Sequence, residues 1–221
     1  MLKAYRVVDL SWKLIPPNPE VGETGSRRLE IRRRLVGLGE YEFDIDMMSH
    51  IGTHVEAPSH FIGAAFPGQG AKDLSEVSIE TFLGSAYMLD LKGFEAAQPV
   101  LPEHLEATRA GRGDILLIGN SLHTEIGQRP YVSKEAAQWM VDHGIKMLGM
   151  DYSVAKEEPG GKTLHDMRTH VKLFSHDIPI LHNLAHFDQL REEHVFFIGL
   201  PLNVVGLDAW PVRAVALEGL F

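Results

Sequence analysis

Residues 50 to 60 form the segment that most restricts how this chain can fold. The segment contains three imidazoles and one carboxylate at even spacing, on His50, His54, Glu56 and His60. Residues two apart share a face of an extended chain, so these four side chains point one way and the largely apolar residues between them point the other way. A helix would turn Glu56 away from the imidazoles and would have to accommodate Pro58. The sequence therefore predicts an extended segment with one apolar face ready for burial.

The polar face of this segment carries the side-chain types that bind Zn²⁺ and Mn²⁺, which prefer neutral imidazole and carboxylate ligands. A straight strand at about 3.3 Å per residue would hold His50 and His54 roughly 13 Å apart, which is too far for two ligands of one ion. We therefore expect the segment to curl, and Gly52 and Pro58 permit the change of direction. The alternative is a His-rich surface loop without metal, but a solvated loop does not require alternating apolar residues.

The same segment resembles a known family. Its pattern, His-x-Gly-Thr-His-x-Glu-x-Pro-x-His, is similar to the motif of the cyclase family of metal-dependent hydrolases, which includes kynurenine formamidases and isatin hydrolases. Glu56 stands where that family usually has Asp. The resemblance extends over nearly the whole chain, through residues 8–11, 113–118, 144–151, 201–202 and 211–216.

The predicted fold is α/β. The resemblance implies one domain over residues 1–221, with a mixed β-sheet of the swivelling β/β/α type. The residue pattern is compatible with this, because alternating residues over 29–35 and 41–47 predict a β-hairpin that leads into the His segment. Ser133 is a predicted N-cap of a helix that runs to about His143 and stops at Gly144. A buried strand follows over 146–150, then a helix over 163–175 and a short strand over 178–181.

Two further histidines, His170 and His182, belong to the predicted site. The resemblance implies a ligand histidine at position 170 and a ligand glutamate twelve residues later, where this chain has His182. The alternative for His182 is a core histidine whose nitrogens are bonded to backbone. Because imidazole cannot bridge two metals as a carboxylate can, we expect one well-occupied ion and a second, weaker site. The first site would use His50, His54 and Glu56, and the second would use His60, His170 and His182.

The function implied by the resemblance is metal-dependent hydrolysis of an amide C–N bond with a metal-activated water. The substrate would be an aryl formamide such as N-formylkynurenine, or a cyclic amide. His60 would act as the general base or as a second-site ligand, and these roles exclude each other if its lone pairs are committed to a metal. Two alternatives stay open, a metal-binding protein without hydrolase activity and a lactone or ester hydrolase that uses the same site.

Composition argues against nucleic acid and a membrane as partners, whereas the resemblance implies a small-molecule substrate. A net charge of −9 argues against nucleic acid as the main partner. The only basic run, Arg32 to Arg34, predicts a solvated hairpin face or a contact with a substrate carboxylate. The chain contains no cysteine, which suits a cytoplasmic protein, and no apolar stretch of the ~20 residues needed to cross a membrane. The resemblance implies a homodimer or homotetramer in which the Pro-rich loop over 16–28 crosses to a neighbouring chain.

Overall fold

The computed structural model of this protein describes residues 5–16, 29–62, 70–160, 163 and 168–221. The predicted loop over 16–28 lies outside the described residues except for Pro16. The strands are β1 (Arg6–Asp9), β2 (Leu29–Val36), β3 (Glu40–Met47), β4 (His54–Glu56), β5 (Leu83–Asp90), β6 (Pro99–Val100), β7 (Ile115–Gly119), β8 (Tyr131–Val132), β9 (Met147–Asp151), β10 (Ile180–Leu184), β11 (His194–Ile198), β12 (Ala209–Pro211) and β13 (Val215–Glu218). The α-helices are α1 (Pro102–Glu106), α2 (Lys134–His143) and α3 (Arg168–Phe174), and short 3-10 helices cover Pro58–His60, Ile79–Phe82 and Phe187–Gln189.

A nine-stranded mixed sheet dominates the described part of the chain. Its strand order is β1-β13-β11-β5-β7-β9-β10-β4-β12. The central pairs β5–β7, β7–β9 and β9–β10 are parallel, and the outer pairs are antiparallel. The predicted mixed α/β sheet is therefore confirmed.

The central strands are covered on both faces, which explains their continuous apolar sequences. Every residue of β7 and of β9 is buried. Leu116 and Ile118 pack into the apolar cluster on one face of the sheet, whereas Ile115 and Leu117 pack into the cluster on the other face. Parallel strands that are covered on both faces require such unbroken runs rather than alternation.

The boundaries predicted for helix α2 are confirmed, with Ser133 before its first residue and Gly144 after its last. The Ser133 hydroxyl accepts a hydrogen bond from the backbone N–H of Ala136, which caps the first turn. Gly144 ends the helix with φ of 69°, a left-handed conformation that glycine adopts without steric cost. The following strand, β9, then enters the centre of the sheet.

Helix α3 is shorter than the helix predicted over 163–175. It begins at Arg168, residue 163 lies in a bend, and residues 164–167 lie outside the described part. The Glu157 carboxylate accepts hydrogen bonds from the backbone N–H groups of Thr169 and His170. A carboxylate in this position satisfies the free N–H groups of a first turn, so it fixes where the helix starts.

The predicted hairpin is confirmed as a separate two-stranded sheet. Strands β2 and β3 pair along their full length, from Leu29 opposite Met47 to Val36 opposite Glu40. Three residues after β3 ends, the chain reaches His50 and the predicted metal-binding segment. Within the described ranges, no helix is long and apolar enough to cross a bilayer.

Candidate metal centre

Strand β4 carries the centre of the His segment between two antiparallel neighbours. His54 lies opposite His182 of β10 and opposite Pro211 of β12, and Glu56 lies opposite Ala209 of β12. Side chains directly opposite each other on antiparallel strands are close neighbours. The pairing with β10 therefore brings His182 to the His segment across a long separation in sequence.

The segment is extended only from His54 to Glu56, so the expectation that all four polar side chains share one extended face is wrong beyond these residues. Pro58 begins the 3-10 helix that follows, and this turn brings His60 beside His50, with ring centroids 4.4 Å apart. A proline at the start of a helical turn has its φ angle already set for that turn. The predicted curl is present, but it is made by this turn.

Gly52 provides the second change of direction. Its φ of 57° is left-handed, and a Cβ atom there would lie 2.6 Å from Leu14 Cδ2. A residue with a side chain would be strained and would also displace Leu14. Glycine at this position lets the backbone turn inward immediately before His54.

The Glu56 carboxylate is the hub of the cluster and is 2% exposed. Its Oε1 lies 3.2 Å from His54 Nε2 and 3.7 Å from His50 Nε2. Its Oε2 lies 3.3 Å from His182 Nε2, 3.7 Å from His170 Nε2 and 3.9 Å from His60 Nε2. Five of the six residues chosen from the sequence therefore surround the carboxylate of the sixth, Glu56.

The potential ligand atoms form two groups that differ from the predicted grouping. Within each group they lie no more than 4.8 Å from one another. The inner group is buried and consists of Glu56, His170 and His182. The outer group is partly buried and consists of His50, His60 and Asp208. His54 contacts the inner group through Glu56. Strand pairing and the turn over 58–60, rather than proximity in sequence, decide which ligands meet.

Asp208 is a member of the outer group that the sequence reasoning missed. Its Oδ2 lies 2.7 Å from His60 Nδ1. Asp208 immediately precedes β12, which pairs with β4, and its backbone carbonyl accepts a hydrogen bond from Ala57 N–H. In the sequence, Asp208 could have been found from its position three residues before the stretch over 211–216 that resembles the family.

The electrostatics of the cluster favour the protonation states that bind metal. Burial lowers the pKa of His50 to about 4, against the opposing effect of Glu56. Burial also lowers the pKa of His182 well below its usual value. For Glu56, burial acts to raise the pKa, but the surrounding imidazoles, His182 foremost, outweigh it and hold the pKa well below its usual range. Neutral imidazoles and an ionised carboxylate are the forms that coordinate a divalent ion.

The hydrogen bond of His54 to the backbone leaves its second ring nitrogen facing the Glu56 carboxylate, which favours a cation between these two side chains. His54 Nδ1 lies 2.7 Å from the Gly52 carbonyl, which can only accept, so Nδ1 carries the hydrogen and Nε2 of the neutral ring presents a lone pair. That nitrogen faces Glu56 Oε1, a second acceptor. Glu56 Oε2 is buried and accepts no well-formed hydrogen bond from the described residues. Buried acceptors that face each other are stabilised by a proton or a cation between them, and this set of nitrogen and carboxylate ligands fits a divalent metal.

Glu157 fixes the orientation of His170 and was also missed from the sequence. Its Oε1 lies 2.5 Å from His170 Nδ1. Nδ1–H therefore donates to the carboxylate, and Nε2 presents its lone pair to the inner group. Metal-binding histidines usually donate their second nitrogen to a carboxylate or carbonyl in this way. No residue spacing pointed to Glu157, because it lies in a loop far along the chain from the His segment.

Comparisons with known proteins place this chain in a family. Residues 8–155, more than half of the chain, match the Cyclase family model. The kynurenine formamidase of Bordetella pertussis is 30% identical over 179 residues, which cover 79% of each chain. The chain belongs to the Cyclase family. The kynurenine formamidase of Bacillus cereus is 27% identical over 177 residues, which cover 77% of each chain.

A solved structure with the same fold supports the sheet described above. Isatin hydrolase A from Labrenzia aggregata, solved with bound benzyl benzoate, superposes with a TM-score of 0.77 at 21% identity, covering 96% of this Cyclase-family chain and 93% of that chain. The match to the Cyclase model includes the His segment but ends before His170, His182 and Asp208. The second half of the centre therefore depends on the geometry described above.

In this Cyclase-family chain we expect Glu157→Gln to weaken metal binding by about 10- to 100-fold, as is typical when a partner of a ligand histidine is lost. A carboxylate at position 157 can only accept a hydrogen bond, so it keeps the hydrogen of His170 on Nδ1. The amide of the variant can also donate, so it no longer fixes this tautomer. Metal titration of the stripped protein measures this change. Glu158→Gln is the matched control, because Glu158 is the adjacent carboxylate and pairs with Arg168 at 3.7 Å instead. Equal affinities in Glu157→Gln and wild type would show that Glu157 acts only as a helix cap.

Proposed function

We propose that this Cyclase-family chain is a metal-dependent hydrolase that cleaves an amide C–N bond of a small molecule. The observation that carries the proposal is the buried convergence of imidazole nitrogens on the Glu56 carboxylate. The kynurenine formamidase relatives support amide hydrolysis as the reaction type. We propose an aryl formamide such as N-formylkynurenine, or a cyclic amide, as the substrate.

We propose Zn²⁺ or Mn²⁺ as the metal, with one well-occupied ion at the inner group. Glu56, His170 and His182 would hold it together with His54. The outer group would take a second ion only weakly, because it is more exposed and its His60 is engaged by Asp208. A divalent ion in such a site lowers the pKa of a water molecule towards about 7 and polarises a carbonyl oxygen.

His60 is the proposed general base. Its Nδ1–H donates to Asp208, so the neutral ring presents the Nε2 lone pair on the side of Glu56. The ring is partly exposed, as is Asp208, so this edge of the cluster is open to substrate. His60 would accept a proton from water as the oxygen bonds to the carbonyl carbon, and would return it to the nitrogen as the C–N bond breaks. Asp208 would hold the imidazole in position and stabilise its protonated form.

A substrate panel tests the proposed function. The metal-stripped protein is supplied separately with Zn²⁺, Mn²⁺ and Co²⁺ and offered an aryl formamide, a cyclic aryl amide, a lactone and an aryl ester of similar size. We expect amide hydrolysis that depends on the added ion. Turnover of only the lactone or ester would replace the proposed reaction with ester hydrolysis. Stoichiometric metal binding without any turnover would support a binding protein and contradict the proposed enzyme.

We expect His182→Glu to raise the affinity of the protein for a second metal ion. A carboxylate adds one negative charge beside Glu56 and can bridge two ions, whereas imidazole cannot. A unit charge at about 4 Å contributes several kcal/mol before desolvation, so the affinity for the second ion should rise by roughly 10-fold or more. His182→Gln is the matched control, because it has similar reach and no charge. Metal titration near neutral pH measures both variants, and unchanged stoichiometry and affinity in His182→Glu would remove His182 from the site.

We propose that the enzyme works in the cytoplasm. A chain without cysteine gains nothing from an oxidising compartment. Fractionation of cells that make the protein at native levels tests this, and recovery outside the cytoplasm would contradict it.

A further inference from the structure

Lys156 lies in the segment between β9 and α3, at a place where the chain is held on both sides. Ala155, which precedes it, donates its backbone N–H to the Pro130 carbonyl at 2.7 Å. Glu157, which follows it, contacts His170 Nδ1 at 2.5 Å. Lys156 itself is partly buried. Its side chain therefore starts one residue away from a direct contact with the inner group.

The ammonium group of Lys156 forms no ion pair with a carboxylate of the described ranges. The two acidic residues that follow it are engaged elsewhere, since Glu157 contacts His170 and Glu158 contacts Arg168. A partly buried charge without a partner costs stability, and proteins keep such groups mainly where the charge has a function. The surroundings of Lys156 indicate what that function is.

The charge of Lys156 acts on the buried imidazole of His182. Burial lowers the pKa of His182 well below its usual value, Glu56 opposes this effect, and the positive charge of Lys156 adds to it. The His182 ring is stacked on the His170 ring, with centroids 5.0 Å apart. A lysine carries its charge on a flexible four-carbon stem, so the ammonium group can reach the inner group from the adjoining loop. Contact geometry and electrostatics therefore both place this cation beside the inner group.

Two arginines of the basic run are engaged on the hairpin instead. Arg32 contacts Glu30 at 3.0 Å, and Arg34 contacts Asp44 at 2.9 Å. All four side chains are largely exposed, so the predicted solvated hairpin face is present for these two arginines. Lys156 differs from them because its charge is partly buried and lies beside imidazoles rather than carboxylates.

The inner group has a deficit of negative charge that makes a nearby cation notable. Glu56 is its only carboxylate, and His182 stands where the resemblance implies a second one. This replacement disfavours a second metal ion, which would otherwise add positive charge where a carbonyl oxygen becomes negative. Lys156 supplies one fixed positive charge at the same centre without a second ion.

We propose that Lys156 is a catalytic residue that stabilises the negative charge developing on the carbonyl oxygen of the substrate, an inference that rests on the proposed hydrolase function. As the water oxygen bonds to the carbonyl carbon, the π electron pair moves to the carbonyl oxygen, and Lys156 Nζ–H donates a hydrogen bond to that oxygen. When the C–N bond breaks, the electron pair re-forms the C=O bond, and the nitrogen leaves with the proton that His60 took from water. Lys156 keeps its own proton throughout.

Steady-state kinetics of Lys156→Met test this role. We expect kcat for the best amide substrate to fall by about 100-fold, the usual loss when one donor to a developing oxyanion is removed. KM should stay within about threefold of the wild-type value, because the interaction forms mainly in the transition state. Lys156→Arg keeps the charge and the donors, so it should retain more turnover than Lys156→Met. Lys134→Met removes an exposed lysine from the start of α2 and should behave as wild type.

Metal titration of the stripped proteins gives a second readout that does not depend on turnover. Removal of a positive charge beside the centre reduces its repulsion of a divalent ion. Lys156→Met should therefore bind Zn²⁺ about two- to tenfold more tightly than wild type, whereas Lys156→Arg and Lys134→Met should bind it equally well. A residue that only supported its loop would show the opposite sign, because its loss would loosen Glu157 and weaken metal binding.

Three results would overturn the proposal. They are a wild-type kcat in Lys156→Met, a metal affinity of that variant below the wild-type affinity, and a rise of KM alone that is confined to substrates with a carboxylate. The last result would make Lys156 a contact for a substrate carboxylate instead. Failure of the proposed function is a separate outcome, in which wild type binds metal but hydrolyses none of the amides.

Discussion

Glu56→Gln is expected to lose the metal and nearly all hydrolytic activity. Glu56 is the only carboxylate of the inner group, and its two oxygens lie within 4 Å of five imidazoles. The amide removes the negative charge and adds an NH₂ group that can donate to an imidazole lone pair, which would close the site without an ion. Loss of a residue that binds the metal directly should lower metal affinity by more than the roughly 100-fold that can follow loss of a residue that only hydrogen-bonds to a ligand. Losing the several kcal/mol that a metal contributes corresponds to about a thousandfold fall in rate.

Glu56→Asp is the matched control for this experiment. It keeps the charge, shortens the side chain by one methylene and restores the Asp of the family motif that residues 50–60 resemble. We expect it to retain metal and measurable activity. Metal content by elemental analysis and turnover of the best amide substrate are compared in the three proteins. Stoichiometric metal in Glu56→Gln would show that the imidazoles alone hold the ion.

His60→Gln is expected to lower turnover by about 10²- to 10⁴-fold, the usual contribution of a general base, while the inner group keeps its metal. The inner group and His54 are unaltered in this variant. The pH–rate profile should also lose the limb that reports the base. Asp208→Asn is a graded control, because it keeps the imidazole but removes the carboxylate that His60 Nδ1–H donates to. We expect a smaller fall in Asp208→Asn.

The metal content of His60→Gln decides between the two roles that the sequence leaves open. Retained metal together with lost turnover would support the role of His60 as the general base. Loss of metal together with turnover would make His60 a ligand, and the proposed proton path would then be wrong. Unchanged turnover would remove His60 from the reaction.

Local sequence predicted the features whose causes are local. Ser133 and Gly144 bound their helix through contacts within a few residues, and the alternating residues of the hairpin pair only with each other. The curl near Gly52 and Pro58 followed from the short reach of metal bonds. The expectation that residues two apart share one face was right for His54 and Glu56. It was wrong for His60, because the backbone leaves β4 at Ala57 and enters a 3-10 turn.

Long-range pairing decided the rest. The grouping of ligands depends on β10 and β12 lying on either side of β4, and no spacing within residues 50–60 contains that information. Asp208 and Glu157 reach the centre from loops that precede β12 and α3. Their roles depend on where those elements dock, so single-sequence reasoning had no physical basis for choosing them among thirty acidic residues.

The position of β4 in the sheet also sets an order of events during synthesis. The strand with His54 and Glu56 leaves the ribosome early, but its pairing partners β10 and β12 leave much later; β10 carries His182 and β12 adjoins Asp208. The inner group therefore cannot form on a nascent chain that lacks its final third. Loading with metal would therefore be a late step that requires β10 to have paired with β4, and a bound ion would join segments from distant parts of the chain as a reversible cross-link does.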